Sequence, residues 1–582
     1  MDAIFGFLGE RDTKLLHQMG EALSHRGPGL NVHEQTHASL GYRGERGRSD
    51  QTGMYSTSTH TVAASGWIRD ASGKRLGPSS ILRELTSQPE GFATQVRGDF
   101  VLAFFDGESV RLLRDGAGMR TLFWAHDGER FLFASESKAL LVSPRMRRVI
   151  RSGAVAQFLT FSFVPGAGTM LEGVSELPAG HQVLIRHGTV PSPKRYFFFE
   201  RAESAPESQS GTVVDEDEWV ERFSRTLASA IHDRLPGTAP FGVFLSGGLD
   251  SSAVVAALAR RLGPGIPTWS IHFGPNYANE LDYAREVATR WGTDHEEVHI
   301  EPRHFLPRLR RVVWHLDDPI GDPITVPNFE LARRASARVR WVFNGEGGDP
   351  LFGGPKNIQM LLHHWYGGIE RGPRFRERAY LTSYRRAFDE ISRLLTPEAL
   401  SGISYERDLE AVLTPFFDSE PPRLFLNKLC AINIRLKGAH LILPKVERML
   451  AANGVTSLSP LFDSRLIELS FAMPPTLKLR AGIEKVIIKR AFADALPDSV
   501  LKRPKSGMRV PVHYWFRKET RSYIRRLLSP RAVARAGIFR PERVKQLLDY
   551  NTDDGAGRYG IRLWMLMTFE LWRRIVVERE AV

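Results

Sequence analysis

Cysteine is nearly absent. The 582-residue chain has one, Cys430, so no disulfide can form within it. Long apolar runs are absent too. No stretch reaches the ~18–20 uninterrupted apolar residues that cross a bilayer, and the first residues lack the charged start and apolar core of a secretory signal. The expected setting is the cytoplasm, with no membrane partner. No fixed-period repeat is present. Zinc-finger, RNA-recognition and basic-zipper patterns are also missing. The net charge of +13, with 79 Lys and Arg against 66 Asp and Glu, therefore reads as an Arg-rich solvated surface. It favours acidic partners without implying nucleic acid.

What is present describes a globular chain. Hydrophobic residues make up 42% and charged residues 25%, and the length exceeds one ordinary core. Residues 200–218, "ERAESAPESQSGTVVDEDE", are acidic and poor in large apolar groups, as expected of a linker. They divide an N-terminal domain, 1–199, from a C-terminal one, 219–582. The first contains short apolar runs punctuated by turn residues, such as "FVLAFFDGESVRLLRD" and "RFLFASESKALL", and is expected to be a layered β-rich fold. The second alternates strands and helices from Phe241 onward: "TWSIHF", "NELDYAREVATRWG", "EEVHI" and "RWVFN". That order predicts an α/β domain with a parallel sheet. After about residue 375 the pattern is mostly helical. It ends in "IRLWMLMTFELWRRIVVE", whose apolar anchors at helical spacing are expected to be core.

One joint carries chemistry. "PFGVFLSGGLDSSAVVAALARRL" runs from a short buried strand, Phe241 to Leu245, through Ser246-Gly247-Gly248-Leu249-Asp250-Ser251-Ser252, into a helix from Ala253 to Leu262. Small residues there let backbone N–H groups converge at a helix N-terminus, which suits a phosphate. A Walker A loop is absent. "NGEGGDPLFGG" fails as a dinucleotide fingerprint because Pro350 occupies the third glycine position. The remaining signature is S-G-G-x-D-S-S after a strand. Asp250 would repel a phosphate unless a Mg²⁺ lay between them. A cradle of this kind can hold the pyrophosphate left when ATP is cleaved between its α- and β-phosphates. "HEEVH", residues 295–299, matches the zinc-protease pattern H-E-x-x-H. It follows a helix closed by Gly292 and reads as strand, where four residues span ~13 Å, too far for two histidines to share a zinc.

The loop resembles the pyrophosphate loop of adenylating ATP pyrophosphatases. With "NELDYAREVATRWGTDHEEV", "DDPIGDPITVPNFELARRA", "FNGEGGDPLFGG", "SPLFDSRLIELSFAMPPTLKLR" and "KRPKSGMRVPV", the chain resembles the asparagine synthetase family. The N-terminal part resembles that family's glutaminase (Ntn-type) domain through "HRGP", "GDFVLAFFD", "RDGAGMRTLFW" and "FASESKALL". The resemblance implies ATP and Mg²⁺, with Asp250 and Asp349 as metal ligands. It implies a phosphate cradle made of Ser246, Gly247, Gly248, Asp250, Ser251 and Ser252. Lys505 would stabilise charge on the phosphates, and Glu346 would act as a base or amine-binding group.

The chain departs from the family in three places. Asp2 stands where the family has its nucleophilic cysteine, Ser65-Gly66-Trp67 where it has Asn-Gly-Glu, and "GPSS" where it has an acidic stretch. A carboxylate cannot replace a thiolate, so no glutamine hydrolysis is expected and the domain is read as a scaffold. On the acceptor side, Asp349-Pro350 replaces an Asp-Glu pair, and Thr456-Ser457-Leu458 replaces Glu-x-Arg. Two branches of the family look like this. β-Lactam synthetases carry Tyr at the place of Glu346, whereas this chain keeps Glu. The favoured branch is the lasso-peptide cyclases: they join a precursor peptide's N-terminal amine to an Asp or Glu side chain, and a leader-binding protein and a cysteine protease are possible companions. The expected activity is that macrolactam closure. The alternatives are an ammonia-dependent asparagine synthetase or a small-molecule (β-lactam-type) amide ligase, and a non-catalytic scaffold.

Overall fold

The computed structural model describes residues 2–582 except 46–52, 204–214, 355, 367–371, 373, 385, 504–507 and 551–558. The described chain divides into two compact units. One comprises Met1–Val149, Gly166–Phe199 and Arg435–Thr456; the other comprises Ile150–Pro165, Glu200–Ile434 and Ser457–Val582.

The first unit contains strands β1 (Ala3–Leu8), β2 (Gly29–Glu34), β3 (Ala38–Gly44), β4 (Gly53–Ser56), β5 (Thr61–Arg69), β6 (Arg97–Phe105), β7 (Val110–Arg114), β8 (Phe123–His126), β9 (Phe131–Ala134), β10 (Val174–Glu176), β11 (His181–Ile185) and β12 (Lys194–Arg195). They form two antiparallel six-stranded sheets, ordered β10-β8-β9-β1-β3-β2 and β12-β11-β7-β6-β5-β4. "FVLAFF" in β6 is continuously apolar because both of its faces are covered. Val101, Ala103 and Phe105 join Ile4, Leu40 and Phe133 of the other sheet in one core. Phe100, Leu102 and Phe104 pack with Ile81, Leu82 and Leu85 of the helix Pro78–Ser87. A strand buried on both faces loses the polar–apolar alternation.

The segment Arg435–Thr456 lies in this unit, although it is far along the chain. Polar bonds tie it there beside buried apolar residues such as Ala439, Met449 and Leu450. Arg435 donates to the carbonyls of Ala179 and Phe197. Glu447 pairs with the buried Arg26, which also holds Glu136. His440 meets Glu176 at 3.0 Å, and Glu176 accepts from Arg114 at 2.6 Å. Burial pushes the Glu176 carboxyl up, but His440 and the Arg114 guanidinium outweigh it and hold the group at about 2. A depressed carboxylate stabilises the fold above its unfolded value, and that contribution disappears as pH falls through the folded value. Wild-type stability should therefore drop between about pH 4.5 and 2 by about 3 kcal/mol from this group. Glu176→Gln should be less stable at pH 7, because Arg114 loses a buried partner, and should show a flatter acid limb in urea titrations. An unchanged acid limb would contradict the assignment.

The second unit is built on β13 (Phe241–Phe244), β14 (Pro267–His272), β15 (Asp294–His299), β16 (Trp341–Phe343) and β17 (Thr456–Leu458). The sheet order is β15-β14-β13-β16-β17, and the β13–β14, β13–β16 and β14–β15 pairings are parallel. The helix Leu281–Trp291 ends at Gly292, whose φ of 59° lets its N–H turn back to the carbonyls of Ala288 and Thr289. "HEEVH" lies in β15. His295 Nδ1 lies 2.8 Å from Thr268 Oγ1, while His299 stacks on His272, so the two rings have different partners. The terminal helix Tyr559–Trp572 is buried almost all round, with Trp564, Met565, Phe569 and Trp572 inside.

Local chemistry also corrects part of the linker reading. Residues 204–214 lie outside the described residues. The acidic residues after them begin a helix, Glu216–Arg234. Asp215 caps it by accepting from the N–H groups of Asp217 and Glu218, and Glu216, Asp217 and Glu218 fill the first turn. Carboxylates there complement the helix dipole.

Candidate active site

β13 sits mid-sheet, with β14 and β15 on one side and β16 on the other. The chain order therefore reverses between β13 and β16, the kind of switch point beyond whose C-terminal strand ends ligands bind in open α/β sheets. The loops leaving both strands are glycine-rich, and they touch.

The first loop follows Leu245, whose N–H still pairs with the Trp269 carbonyl at 2.9 Å. Ser251 Oγ organises the turn. It accepts from Ser246 N–H at 3.1 Å, lies 2.9 Å from Ser246 Oγ, and donates to the Gly248 carbonyl at 3.1 Å. Gly247 has φ 73°, and a Cβ there would lie 2.7 Å from the Glu280 carbonyl oxygen. No larger residue fits that conformation and that space. The helix begins at Leu249 rather than Ala253, so Asp250, Ser251 and Ser252 form its first turn. The extended Gly248 at the N-cap supplies no side chain to the first-turn N–H groups. Those donors, and the buried Ser252 hydroxyl, which lacks a hydrogen-bond partner among the described residues, suit an anion.

The second loop follows β16. Asn344 holds its turn: its side-chain oxygen accepts from Glu346 N–H at 3.1 Å and from Ser459 Oγ at 2.9 Å, and its amide donates to Ser457 Oγ at 3.0 Å. The residue at the family's altered acceptor position, Ser457, thus supports the turn that bears Glu346. Glu346 is half-buried. Gly345 and Gly348 permit the close approach of the two loops. A Cβ on Gly345 would lie 2.4 Å from Ser251 N, and one on Gly348 would lie 2.1 Å from Asp250 Oδ1. Asp349 follows in the first turn of the short helix Gly348–Phe352.

The two aspartates converge on a residue that the sequence did not single out. Lys485 Nζ lies 2.5 Å from Asp250 Oδ2 and 2.5 Å from Asp349 Oδ1, with its side chain 1% exposed. Lys485 has φ 56°, a left-handed conformation that is costly for a side-chain-bearing residue. Its N–H is tied to the Lys478 carbonyl at 2.6 Å. In "AGIEKV" the only local signal was a lone Lys, which ordinarily reads as solvated surface. Arg503 approaches the first loop: its Nη2 lies 3.8 Å from a Cβ placed on Gly248, 2.9 Å from Glu280 Oε1, and its guanidinium sits over the Tyr283 ring. Lys505 lies outside the described residues.

The donor set fits a divalent cation. Two carboxylates meet at the point where Lys485 Nζ sits, beside a helix N-terminus with no side-chain cap, and Mg²⁺ is commonly held by one or two carboxylates together with substrate phosphates. Asp250 and Asp349 would hold it.

The first unit has its own buried polar cluster, around Asp2. Asp2 is buried. Its Oδ2 accepts from Gly66 N–H at 2.9 Å, its carbonyl accepts from Ser65 Oγ at 3.1 Å, and its Oδ1 lies 3.4 Å from Arg120. The Trp67 indole donates to Asp99 Oδ2 at 3.2 Å. Asp2 and Ser65, two of the positions that departed from the family pattern, are thus bonded to one another, and Asp2 also to Gly66.

Comparisons with known proteins find two family profiles along the chain. The asparagine synthase family profile matches residues 222–574, and a glutamine amidotransferase domain profile matches residues 80–197. An "Asparagine synthetase [glutamine-hydrolyzing] 1" of Bacillus subtilis is 25% identical, over 97% of this chain and 94% of its own. A "Putative asparagine synthetase [glutamine-hydrolyzing]" of Mycobacterium tuberculosis is 27% identical, over 84% of this chain and 78% of its own. Among solved structures, a glutamine phosphoribosylpyrophosphate amidotransferase of B. subtilis overlaps 60% of this chain and 83% of its own, at 12% identity and a TM-score of 0.24.

Proposed function

The chain belongs to the asparagine synthase family, and on that premise we propose that it is an ATP-dependent, AMP- and pyrophosphate-forming amide ligase that closes a macrolactam in a peptide. The observation that carries the ligase reading is the convergence of Asp250, Asp349 and Lys485 beside the uncapped N-terminus of the helix Leu249–Leu262. The macrolactam reading is supported by the altered acceptor positions and by Asp2.

A carboxylate of the substrate attacks the α-phosphorus of ATP, and the bond to pyrophosphate breaks. The helix N-terminus and the Ser246–Gly248 backbone take up the charge on the departing phosphates. Mg²⁺, when held by Asp250 and Asp349, would supply further charge neutralisation. An amine then attacks the acyl carbon, AMP leaves, and the amine's proton passes to a base. Glu346 would take that proton or hold the amine. If amine and acyl group belong to one peptide, ring closure depends on proximity.

The amine source is the finer part of the proposal. Asp2 offers no thiolate, and Trp67 uses Asp99 as its hydrogen-bond acceptor. Ammonia from glutamine is therefore not expected. A precursor peptide carrying both groups meets the need, with a leader-binding protein and a cysteine protease as possible companions.

The test is pyrophosphate release with ATP and Mg²⁺, read beside product mass. Linear peptides with a free N-terminus and one Asp or Glu should drive release and yield a product lighter by one water. Turnover of aspartate with ammonia, and not of peptide, would reassign the chain as an amide ligase of the parental kind. Turnover with glutamine would restore the first unit to catalysis. No release with any acceptor would leave the scaffold reading.

A further inference from the structure

Beside the phosphate loop, the second unit presents a row of aromatic rings that the ligase chemistry does not use. Tyr277 lies 5.6 Å from Tyr514, Tyr514 5.4 Å from His513, and His513 5.7 Å from Tyr550, centroid to centroid. The Arg517 guanidinium closes the row, 4.4 Å from the Tyr550 ring. Tyr514 is 55% exposed, and Tyr277, His513 and Tyr550 are half-buried. Soluble proteins seldom leave so many large rings together at the surface without a use for them.

The row is rigid. Trp515, the next residue after Tyr514, is buried between Phe273 and Phe305. Tyr550 rests on the buried Tyr559, 5.4 Å away. Rings held this way contribute contact area at little entropic cost.

The row is also continuous with the adenylating loop. Tyr277 lies on the segment leaving the C-terminal end of β14, and that same segment supplies the Glu280 carbonyl and the Tyr283 side chain against which Gly247 packs. Arg503 spans from Glu280 and Tyr283 to the neighbourhood of Gly248.

We propose that the row Tyr277–Tyr514–His513–Tyr550, with Arg517, is a docking surface for the polypeptide whose carboxyl the neighbouring loop activates. This rests on the peptide-ligase reading. Free aspartate and ammonia are too small to use such a row. An extended peptide at ~3.3 Å per residue covers it with about five residues. The ring faces take apolar or proline side chains, the phenol groups take backbone amides, and Arg517 takes a carboxylate in a bidentate bond. Burial, and then Arg517, lower the His513 pKa from its ordinary value, which favours the neutral ring. Among the described residues, Arg517 and Arg525 face Tyr550, Arg525 being paired with Asp549, and Glu519 faces Tyr277, so the Arg517 end of the row favours an acidic side chain. A stack of nucleic-acid bases is disfavoured: neighbouring rings are inclined by 55°, 77° and 82° and offer no parallel platforms.

The test starts from a display selection of random linear peptides on the full-length protein. The enriched peptides, labelled, are titrated by anisotropy against wild type, Tyr514→Ala, Arg517→Ala, and Tyr55→Ala as an exposed aromatic control. Tyr514→Ala should weaken binding at least about tenfold, the size expected of an aromatic anchor, with ATP affinity and melting temperature unchanged. Arg517→Ala should weaken chiefly the peptides containing Asp or Glu. Peptides that bind Tyr514→Ala as tightly as wild type would overturn the surface while leaving the peptide-ligase reading intact. Failure to enrich any peptide, with aspartate and ammonia turned over, would overturn both. Oligothymidylate bound in a Tyr514-dependent way would replace the peptide with nucleic acid.

Discussion

Lys485→Met should reduce pyrophosphate release by about a thousandfold, the scale for losing a preorganised charge-stabilising group in a dry site, and should make the protein's stability depend on Mg²⁺. The ammonium is nearly inaccessible and touches both Asp250 and Asp349 at 2.5 Å. The two carboxylate oxygens therefore lie within twice that distance of each other. At ~5 Å and an effective dielectric near 20, two like charges repel by about 3 kcal/mol. Half-exposed Asp349 is partly screened, so the realised cost should be smaller. Methionine fills the space of the lysine stem without its charge, so the repulsion stands uncompensated. Millimolar Mg²⁺ should then raise the variant's melting temperature over its value in EDTA, and by more than it does for wild type. A variant that melts the same in EDTA and Mg²⁺ would contradict the view that one point between the two aspartates accepts either cation. Activity within tenfold of wild type would remove Lys485 from the reaction.

Gly348→Ala should cost about a hundredfold in rate, the scale of a ~1 Å misplacement of a reacting group. The new methyl would sit 2.1 Å from Asp250 Oδ1 and 2.3 Å from Asp250 Cγ. Asp250 is in the first turn of a helix and is held by Lys485, so it cannot step aside without dragging the cradle. The overpacking should cost about 1–3 kcal/mol in stability, leaving a folded protein that binds pyrophosphate poorly. The measurements are pyrophosphate release at saturating ATP, and the melting temperature as a control for folding. Wild-type turnover would mean that the loops separate during catalysis and that their contact here is not the working one.

The two variants probe features of different legibility. Gly348 was visible as part of "NGEGGD", and the strand–loop–helix around Asp250 was visible as an apolar run, small residues and a helical pattern. Such features are local: backbone conformation and side-chain periodicity act over a few residues, so the sequence displays them. Helix ends were legible for the same reason, as at Gly292. The acidic residues before Trp219 carried a local signal too, a helix cap and a charged first turn, but composition alone made them look like linker. The helix Leu249–Leu262 began four residues earlier than its apolar pattern suggested, because Asp250 and the two serines take helical conformation when Gly248 caps the turn.

Lys485 was not legible. It meets Asp250 across 235 positions of chain, and no period or motif encodes an ion pair of that span. The interleaving of the two units was hidden for the same reason. Arg435–Thr456 joins the first unit through Arg26–Glu447, His440–Glu176 and the bonds of Arg435. Each of these pairs polar residues that, read singly, look like surface. The aromatic row draws on three separate stretches of chain. By itself, the sequence determined the α/β class, the strand–loop–helix joint at Ser246–Ser252 and the presence of Asp rather than Cys at position 2, because each depends on neighbouring residues or on one residue's identity. The tertiary structure decided which charges share a point in space and which rings share a surface, because those depend on the path of the chain between them.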